Sequence, residues 1–409
     1  MAEEKVKPLT RDDVIRLIED IAPKEKHELV LNRECVLRLI EENGGPENEL
    51  DLSEMKFERG IDLHDIDIKR IILTKARLVE VHLEGANLRE AHLEGANLRY
   101  AHFEEANLRE AHLGGANLQD AHLDKADLAG AQLGETDLSR ASLVQAHLEE
   151  ANLILACLEG AHLMNANLEE ADLQGAHLEG ADCLNVNFEG ADLRGAHLES
   201  AILGSANLKE AELGHVHLEG AVLWDAELEG ADLVGVELSR DIKMEGADWG
   251  DYILFRESCG EYYAVIPTYR GLKAWYTEHG VYDVAGEFFY REMEAKRKLQ
   301  SWKKDFKSKL WSWVMRILCG YGEKPERVVI SASVVIFGLA AAYYFWGSFS
   351  SSSFWDTLYY SAASFTALGY GQWAPQPIGW AKGIGAAEAI IGVFMIALFL
   401  VTFTRKMIR

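Results

Sequence analysis

From Ile61 to about Arg240 the chain repeats every five residues without interruption, as in Ala86-Asn87-Leu88-Arg89-Glu90 and Ala96-Asn97-Leu98-Arg99-Tyr100. A helix has a period near 3.6, so a period of five does not fit a helix. Of the 36 units, 32 carry Leu at the third position, the exceptions being Ile68, Phe103, Cys183 and Phe188. The first position is Ala in 28, and otherwise Ile, Val or Thr136. Two apolar residues around one polar residue make a three-residue strand with both apolar side chains on one face. The other two residues must then turn a corner. Gly is frequent at the fifth position (Gly85, Gly95, Gly160, Gly180, Gly230), where relaxed backbone sterics suit such a corner.

This pattern resembles the pentapeptide repeat family. The resemblance implies a right-handed quadrilateral β-helix with four units per coil, hence nine coils and, at roughly 4.8 Å per coil, a tower about 43 Å tall. The register slips by one residue before Ile61 and again near Ala247 and Trp249, so both ends read as distorted terminal coils. Solenoid ends need caps. Upstream, Thr10 and Asp13 form a capping-box pattern ahead of Val14, Leu17, Ile18 and Ile21 at helical spacing, and a second apolar helix is expected over about Glu28 to Glu42, ending at Gly44-Gly45-Pro46.

Ten histidines occupy the outward second position of the repeat; His82, His102, His122 and His162 are separated by multiples of 20, and His177, His197 and His217 form another series. With a 20-residue coil each series stacks on one face, where imidazoles could bind a metal or sense pH. The plainer reading is a solvated polar ladder alternating with Asn87, Asn97, Asn107 and Asn117, and no side-chain metal site is assigned. Five cysteines (Cys35, Cys157, Cys183, Cys259, Cys319) stand far apart without a CxxC pair, which disfavours disulfides and structural zinc and fits a reducing cytosol. The start of the chain has no apolar signal-peptide core.

Charge divides the chain. The net charge is −25 overall, about −33 from Met1 to Tyr290 and +8 from Arg291 to Arg409. The acidic part lacks the Lys and Arg excess that gripping nucleic acid requires, so no nucleic-acid partner is expected. After the tower, Trp275, Gly280, Tyr282, Ala285 and Phe288 fall at spacings similar to one tetratricopeptide helix pair, read as a connector. Trp302, Phe306, Leu310, Trp313, Val314 and Ile317 then lie on one side of a helix, with Lys303, Lys304, Lys307 and Lys309 elsewhere, which suits a membrane interface and lipid contact.

Val328 to Trp346 is an uncharged run long enough to span hydrocarbon, and Gly383 to Phe403 is a second with Glu388 as its one charged group. Basic residues precede the first and follow the second, so the positive-inside rule puts both termini in the cytoplasm of a cell membrane. Between the spans runs Phe354-Trp355-Asp356-Thr357-Leu358-Tyr359-Tyr360-Ser361-Ala362-Ala363-Ser364-Phe365-Thr366-Ala367-Leu368-Gly369-Tyr370-Gly371-Gln372. This segment resembles the pore helix and selectivity filter of two-transmembrane potassium channels, including the trailing Pro375. The resemblance implies a homotetramer whose filter, Thr366, Ala367, Leu368, Gly369, Tyr370 and Gly371, coordinates permeant potassium through backbone carbonyls. Tyr359, Tyr360, Gln372 and Glu388 would support the filter, and Gly392 stands at the family's hinge glycine, although close helix packing explains a glycine equally well. Glu388 is expected behind the pore helix, bonded to Ser361 or Ser364.

The chain departs from the family at Ala367, where a second Thr is usual, at Gln372, where an Asp is usual, and at Ala363, which cannot act as a carboxyl partner. Potassium is still expected to be preferred over sodium, with weaker ion occupancy at the inner end. The expected organisation is a multidomain chain: a helical cap (1–49), the β-helix (50–249), a helical connector (250–300), an interfacial helix and linker (301–327) and an all-α two-transmembrane pore (328–409). No nucleophile and base pair or phosphate loop appears, so no enzyme and no cofactor are expected. An alternative is that the acidic rod binds a cytoplasmic protein, as pentapeptide repeat proteins that mimic DNA do, above a non-conducting anchor. No Arg-rich voltage sensor, Rossmann fingerprint or EF-hand loop identifies the gating stimulus.

Overall fold

The computed structural model describes residues 9–21, 24–25, 28–346, 353–367 and 377–408. It divides into two compact units, Met1–Glu261 and Tyr262–Arg409.

The first unit begins with α1 (Arg11–Ile21), capped by reciprocal bonds in which the Thr10 backbone donates to the Asp13 carboxylate at 3.1 Å and the Asp13 backbone donates to Thr10 Oγ1 at 3.3 Å. Strands β1 (Lys24–Glu25) and β2 (Glu28–Leu31) follow, then α2 (Arg33–Glu42) and β3 (Lys56–Phe57). Here the structure corrects the expected second helix, because Glu28–Leu31 is extended and pairs antiparallel with β1 and parallel with β3. The physical reason is Asn32, whose side chain accepts from the Cys35 backbone at 3.0 Å and starts the helix only at Arg33. With Val30 and Leu31 buried, β2 covers the edge of the first coil.

From Asp62 onward the second residue of each unit bridges in parallel to the residue 20 positions later, as in Asp62↔His82, Asn97↔Asn117 and Glu212↔Asp232. Five residues per unit and 20 per coil give four sides. First- and third-position side chains such as Ala86, Leu88, Ala91 and Leu93 are wholly buried. One Leu and one Ala per side fill the interior, so the core is narrow enough to close. The fifth residue turns the corner with positive φ even where it is not Gly, for example Glu90 (56°), Tyr100 (58°) and Glu150 (57°). At both ends the bridge offset becomes 21, in Asp51↔Ile72, Lys56↔Arg77, Val222↔Lys243 and Glu227↔Asp248, which is the one-residue slip read in the sequence. The regular ladder stops at Asp232, so Val236–Arg240 keeps the repeat pattern without joining a bridge. Arg256, on the one-turn helix α3 (Phe255–Ser258), reaches the buried Asp232 at 2.7 Å and closes this end.

In the second unit α4 (Tyr262–Glu278) and α5 (Tyr282–Leu299) form a helical pair around Tyr269, Leu272, Trp275, Tyr276, Ala285 and Phe288, turning at Gly280 with φ 77°. Helix α6 (Phe306–Cys319) leaves Phe306, Leu310, Trp311, Trp313 and Ile317 exposed and stops at the left-handed Gly320. Helices α7 (Pro325–Phe345), α8 (Phe354–Thr366) and α9 (Trp380–Ile408) complete the unit. Two of these, α7 and Trp380–Thr404 within α9, have mean hydropathies of 2.1 and 2.5 and are long and apolar enough to cross a membrane.

Candidate functional site

Helix α8 is short, polar on one side and wedged between the two apolar helices. Ser353 caps it, accepting from the Trp355 backbone at 3.3 Å, and Thr357 Oγ1 donates to the Phe354 carbonyl at 2.8 Å. Its inward face, Thr357, Tyr360, Ser361, Ser364 and Phe365, recurs at helical spacing and is buried, whereas Tyr359 lies on the exposed side. Thr366 Oγ1 turns back to the Ala362 carbonyl at 2.8 Å, and Ala367 ends the helix in the left-handed region, φ 53°. Carbonyls at this C-terminus carry the negative end of the helix dipole, which favours a cation beyond it. Leu368, Gly369, Tyr370, Gly371 and Gln372 lie outside the described residues.

The surface that receives α8 is a seam on α9. Ala381, Gly385, Glu388, Gly392 and Met395 are buried and alternate by four and three residues, while Ile390, Ile391, Val393 and Phe394 on the other faces are exposed. Two members of the seam are glycines because helix α8 comes too close for anything larger. A Cβ on Gly385 would stand 2.3 Å from the Tyr360 hydroxyl, and one on Gly392 would stand 1.7 Å from the Phe365 carbonyl oxygen. The last turn of α8 therefore rests directly on the backbone of α9, and α9 runs as one helix through Gly392. Close packing accounts for this glycine without a bend.

Glu388 joins three helices. It is wholly buried, hydrogen-bonds Ser361 of α8, and accepts from the Tyr343 hydroxyl of α7 at 3.1 Å. Ser361 Oγ also lies 2.9 Å from the Ile336 carbonyl. An ionisable group at membrane depth is tolerable only with such partners. Tyr360 hydrogen-bonds the Ala381 carbonyl at 3.4 Å and meets Tyr343 edge-on at 5.4 Å, so one aromatic cluster braces the start of α9. At the other end Phe365, Val328, Met395 and Cys319 share a core, which places the end of α8 against α6, α7 and α9.

A charged network ties α5 to the membrane helices. Burial alone would raise the Glu292 carboxyl, but hydrogen bonds from Lys296 at 2.6 Å and Lys273 at 3.1 Å outweigh it and hold the group below its ordinary value. Glu294 behaves likewise: burial is overcome by Arg297 at 2.8 Å and by the Tyr321 hydroxyl at 2.9 Å. Burial, with the neighbouring Glu294, pushes the Tyr321 phenol up to about 12. Arg327, at the start of α7, donates to the Arg316 carbonyl at 3.0 Å and lies over the Tyr290 ring. None of Tyr343, Phe365, Glu294 or Tyr321 was singled out by spacing, because each acts through a partner far away in the chain.

Comparison with known proteins matches a family of pentapeptide repeats, in eight copies, to residues 76–115, 101–140, 131–169, 166–204 and 201–240, and an ion channel family to residues 330–409. Among solved structures, HetL, a pentapeptide repeat protein involved in heterocyst differentiation regulation in the cyanobacterium Nostoc, is 29% identical over 53% of this chain and 94% of its own, with a TM-score of 0.22. A thylakoid lumen pentapeptide repeat protein of Arabidopsis thaliana is 27% identical over 28% of this chain and 72% of its own, with a TM-score of 0.18. No curated protein matches.

Proposed function

From a chain that joins a pentapeptide-repeat β-helix to an ion channel domain, we propose a homotetrameric, potassium-preferring cation channel of the cell membrane, with both termini cytoplasmic. The observation that carries this reading is α8, seated between two apolar helices and ending at Ala367 immediately before Leu368-Gly369-Tyr370-Gly371. Four copies around one axis would bring four such segments together, and carbonyls of Thr366 to Gly371 would replace the ion's hydration shell. Glu388 and Tyr360 hold the pore helix against α7 and α9, Gly392 admits its last turn, and Gln372 and Tyr359 would support the filter. The protein is a transporter, not an enzyme.

The β-helix is a regulatory or scaffolding domain. Support for a regulatory role comes from Glu294 of α5, which pairs with Arg316 of α6 at 3.2 Å and accepts from the Tyr321 hydroxyl, and from Arg327 of α7, which lies over Tyr290 of α5, while Glu292 ties α5 to α4 through Lys273. A movement of α5 would have to break or carry those contacts. Reconstitution into proteoliposomes tests the channel reading: potassium uptake driven by a gradient is expected, and its absence from correctly inserted tetramers contradicts it. Single-channel records of a chain lacking Met1 to Trp249 test the regulatory reading, with a changed open probability expected and an unchanged one reducing the β-helix to a scaffold.

A further inference from the structure

The pore makes no use of the histidines on the β-helix, and the structure gives them unexpected neighbours. Because the coil is 20 residues long, His82 and His102 stack with parallel rings at 4.6 Å, and His92 and His112 do the same at 4.6 Å. Farther along, His177 and His197 stack at 4.7 Å and His197 and His217 at 4.5 Å. The second and fourth residues of a unit both face outward, so a glutamate two residues on lies beside its histidine. Nδ1 of His82 is 2.9 Å from Glu84, that of His92 3.0 Å from Glu94, that of His177 3.0 Å from Glu179 and that of His197 3.2 Å from Glu199.

The second oxygens of these carboxylates are the informative atoms. Oε2 of Glu84, Glu179 and Glu199, and of Glu104 beside His102, is shut off from solvent and has no hydrogen-bond partner. Leaving such an acceptor unsatisfied costs roughly 1–3 kcal/mol, and more when it is charged. Glu84, Glu179 and Glu199 thus each set one idle oxygen beside a pair of stacked imidazoles, a donor set that suits a cation, whereas the second oxygen of Glu94 accepts from Thr74 at 3.1 Å.

We propose that these ladders bind divalent transition-metal ions of the zinc, nickel and copper class. Each ion takes two imidazoles from successive coils and one glutamate, in the sets His82, Glu84, His102; His92, Glu94, His112; and either His177, Glu179, His197 or His197, Glu199, His217, which share His197 and so hold one ion between them. Within each set the donor atoms lie within 4.8 Å of one another. An ion bound at about 2.0–2.1 Å from nitrogen needs two donors no more than about 4.2 Å apart, so the rings close by about half an ångström through side-chain rotation. Imidazole with carboxylate selects borderline divalent ions, whereas magnesium and calcium prefer all-oxygen shells. Each site spans two coils, so a bound ion ties one coil to the next and stabilises the folded β-helix by mass action.

The full-length protein, purified with its affinity tag removed, is titrated calorimetrically with zinc or nickel chloride. Three substitutions, His92→Asn, His102→Asn and His197→Asn, break all four sets, and Asn already occupies the same repeat position at Asn87, Asn97 and Asn107. Matching melting curves in chelator show that the variant keeps its fold. The expected result is saturable binding of at least one ion per chain, weakened at least tenfold in the triple variant, with a metal-induced rise in melting temperature that the variant lacks. Absence of saturable binding, equal binding by the variant, or equal competition by magnesium overturns the proposal.

Discussion

Glycine means different things in the two units of this protein. In the β-helix, Gly180 sits at a corner with φ 65° and nothing within 4 Å of where a Cβ would be, and Tyr100, Arg140 and Ser200 hold the same corner of other coils with side chains. In the membrane unit, Gly392 has an ordinary helical backbone and no room at all, because the Phe365 carbonyl occupies the Cβ position. The first glycine eases a conformation that other residues also adopt, whereas the second is demanded by a neighbour. Repetition makes the β-helix tolerant, since any one corner resembles dozens of others. The pore unit is built of contacts that occur once.

This contrast can be broken by substitution. The largest effect is expected for Gly392→Ala, which must displace the last turn of α8; overpacking of this kind costs about 1–3 kcal/mol. Because the displaced turn leads in sequence to the proposed filter, potassium flux should be lost even where tetramers still form, and flux at the parent rate would separate Gly392 from that filter. Next comes Glu388→Leu, which strips Tyr343 and Ser361 of their shared acceptor at a cost of roughly 1–3 kcal/mol. Glu388→Gln retains an acceptor and should recover most of the thermal stability in detergent; equal loss in both variants would argue against the hydrogen-bonded role.

A smaller effect is expected from acid. The folded-state values of Glu292 and Glu294 lie below their ordinary range. Their contribution to stability is therefore complete above the unfolded value, about 4.3, and is lost as pH falls through the depressed folded values. The melting temperature of the second unit should drop on acidification below about pH 4, and Glu294→Gln should flatten that dependence. A pH profile unchanged by the substitution would contradict the assignment. The smallest effect belongs to Gly180→Ala, where left-handed strain of about 1 kcal/mol is partly offset by lower unfolded-state entropy. A shift well beyond about 1 kcal/mol would show that the corners are less interchangeable than their side chains suggest.

The same contrast explains what could be read from the amino acids. A period of five, with Leu at the third position and one-residue slips at both ends, corresponds to the 20-residue bridge register and its change to 21. A repeat position has one environment, so its chemistry is visible in its own composition. The His-x-Glu pairing is legible in the same way, since second and fourth residues share an outward face. Strand β2 is hidden in the sequence because Leu29-Val30-Leu31 runs into the apolar residues of α2, and the cap at Asn32 marks the break. In the membrane unit the bond between Glu388 and Ser361 could be anticipated from the order of the segments. Tyr343 and Phe365 could not, because their roles depend on how closely two helices approach.

The central claim, that this chain forms a potassium-preferring pore, is tested most directly by bi-ionic reversal potentials on the purified, reconstituted protein. With Ala367 in place of the usual Thr, the carbonyls remain, and potassium should be preferred over sodium by at least about tenfold, equivalent to about 1.4 kcal/mol between the two ions. A reversal potential at zero, with equal permeability to both ions, would contradict that claim and leave a nonselective cation pore.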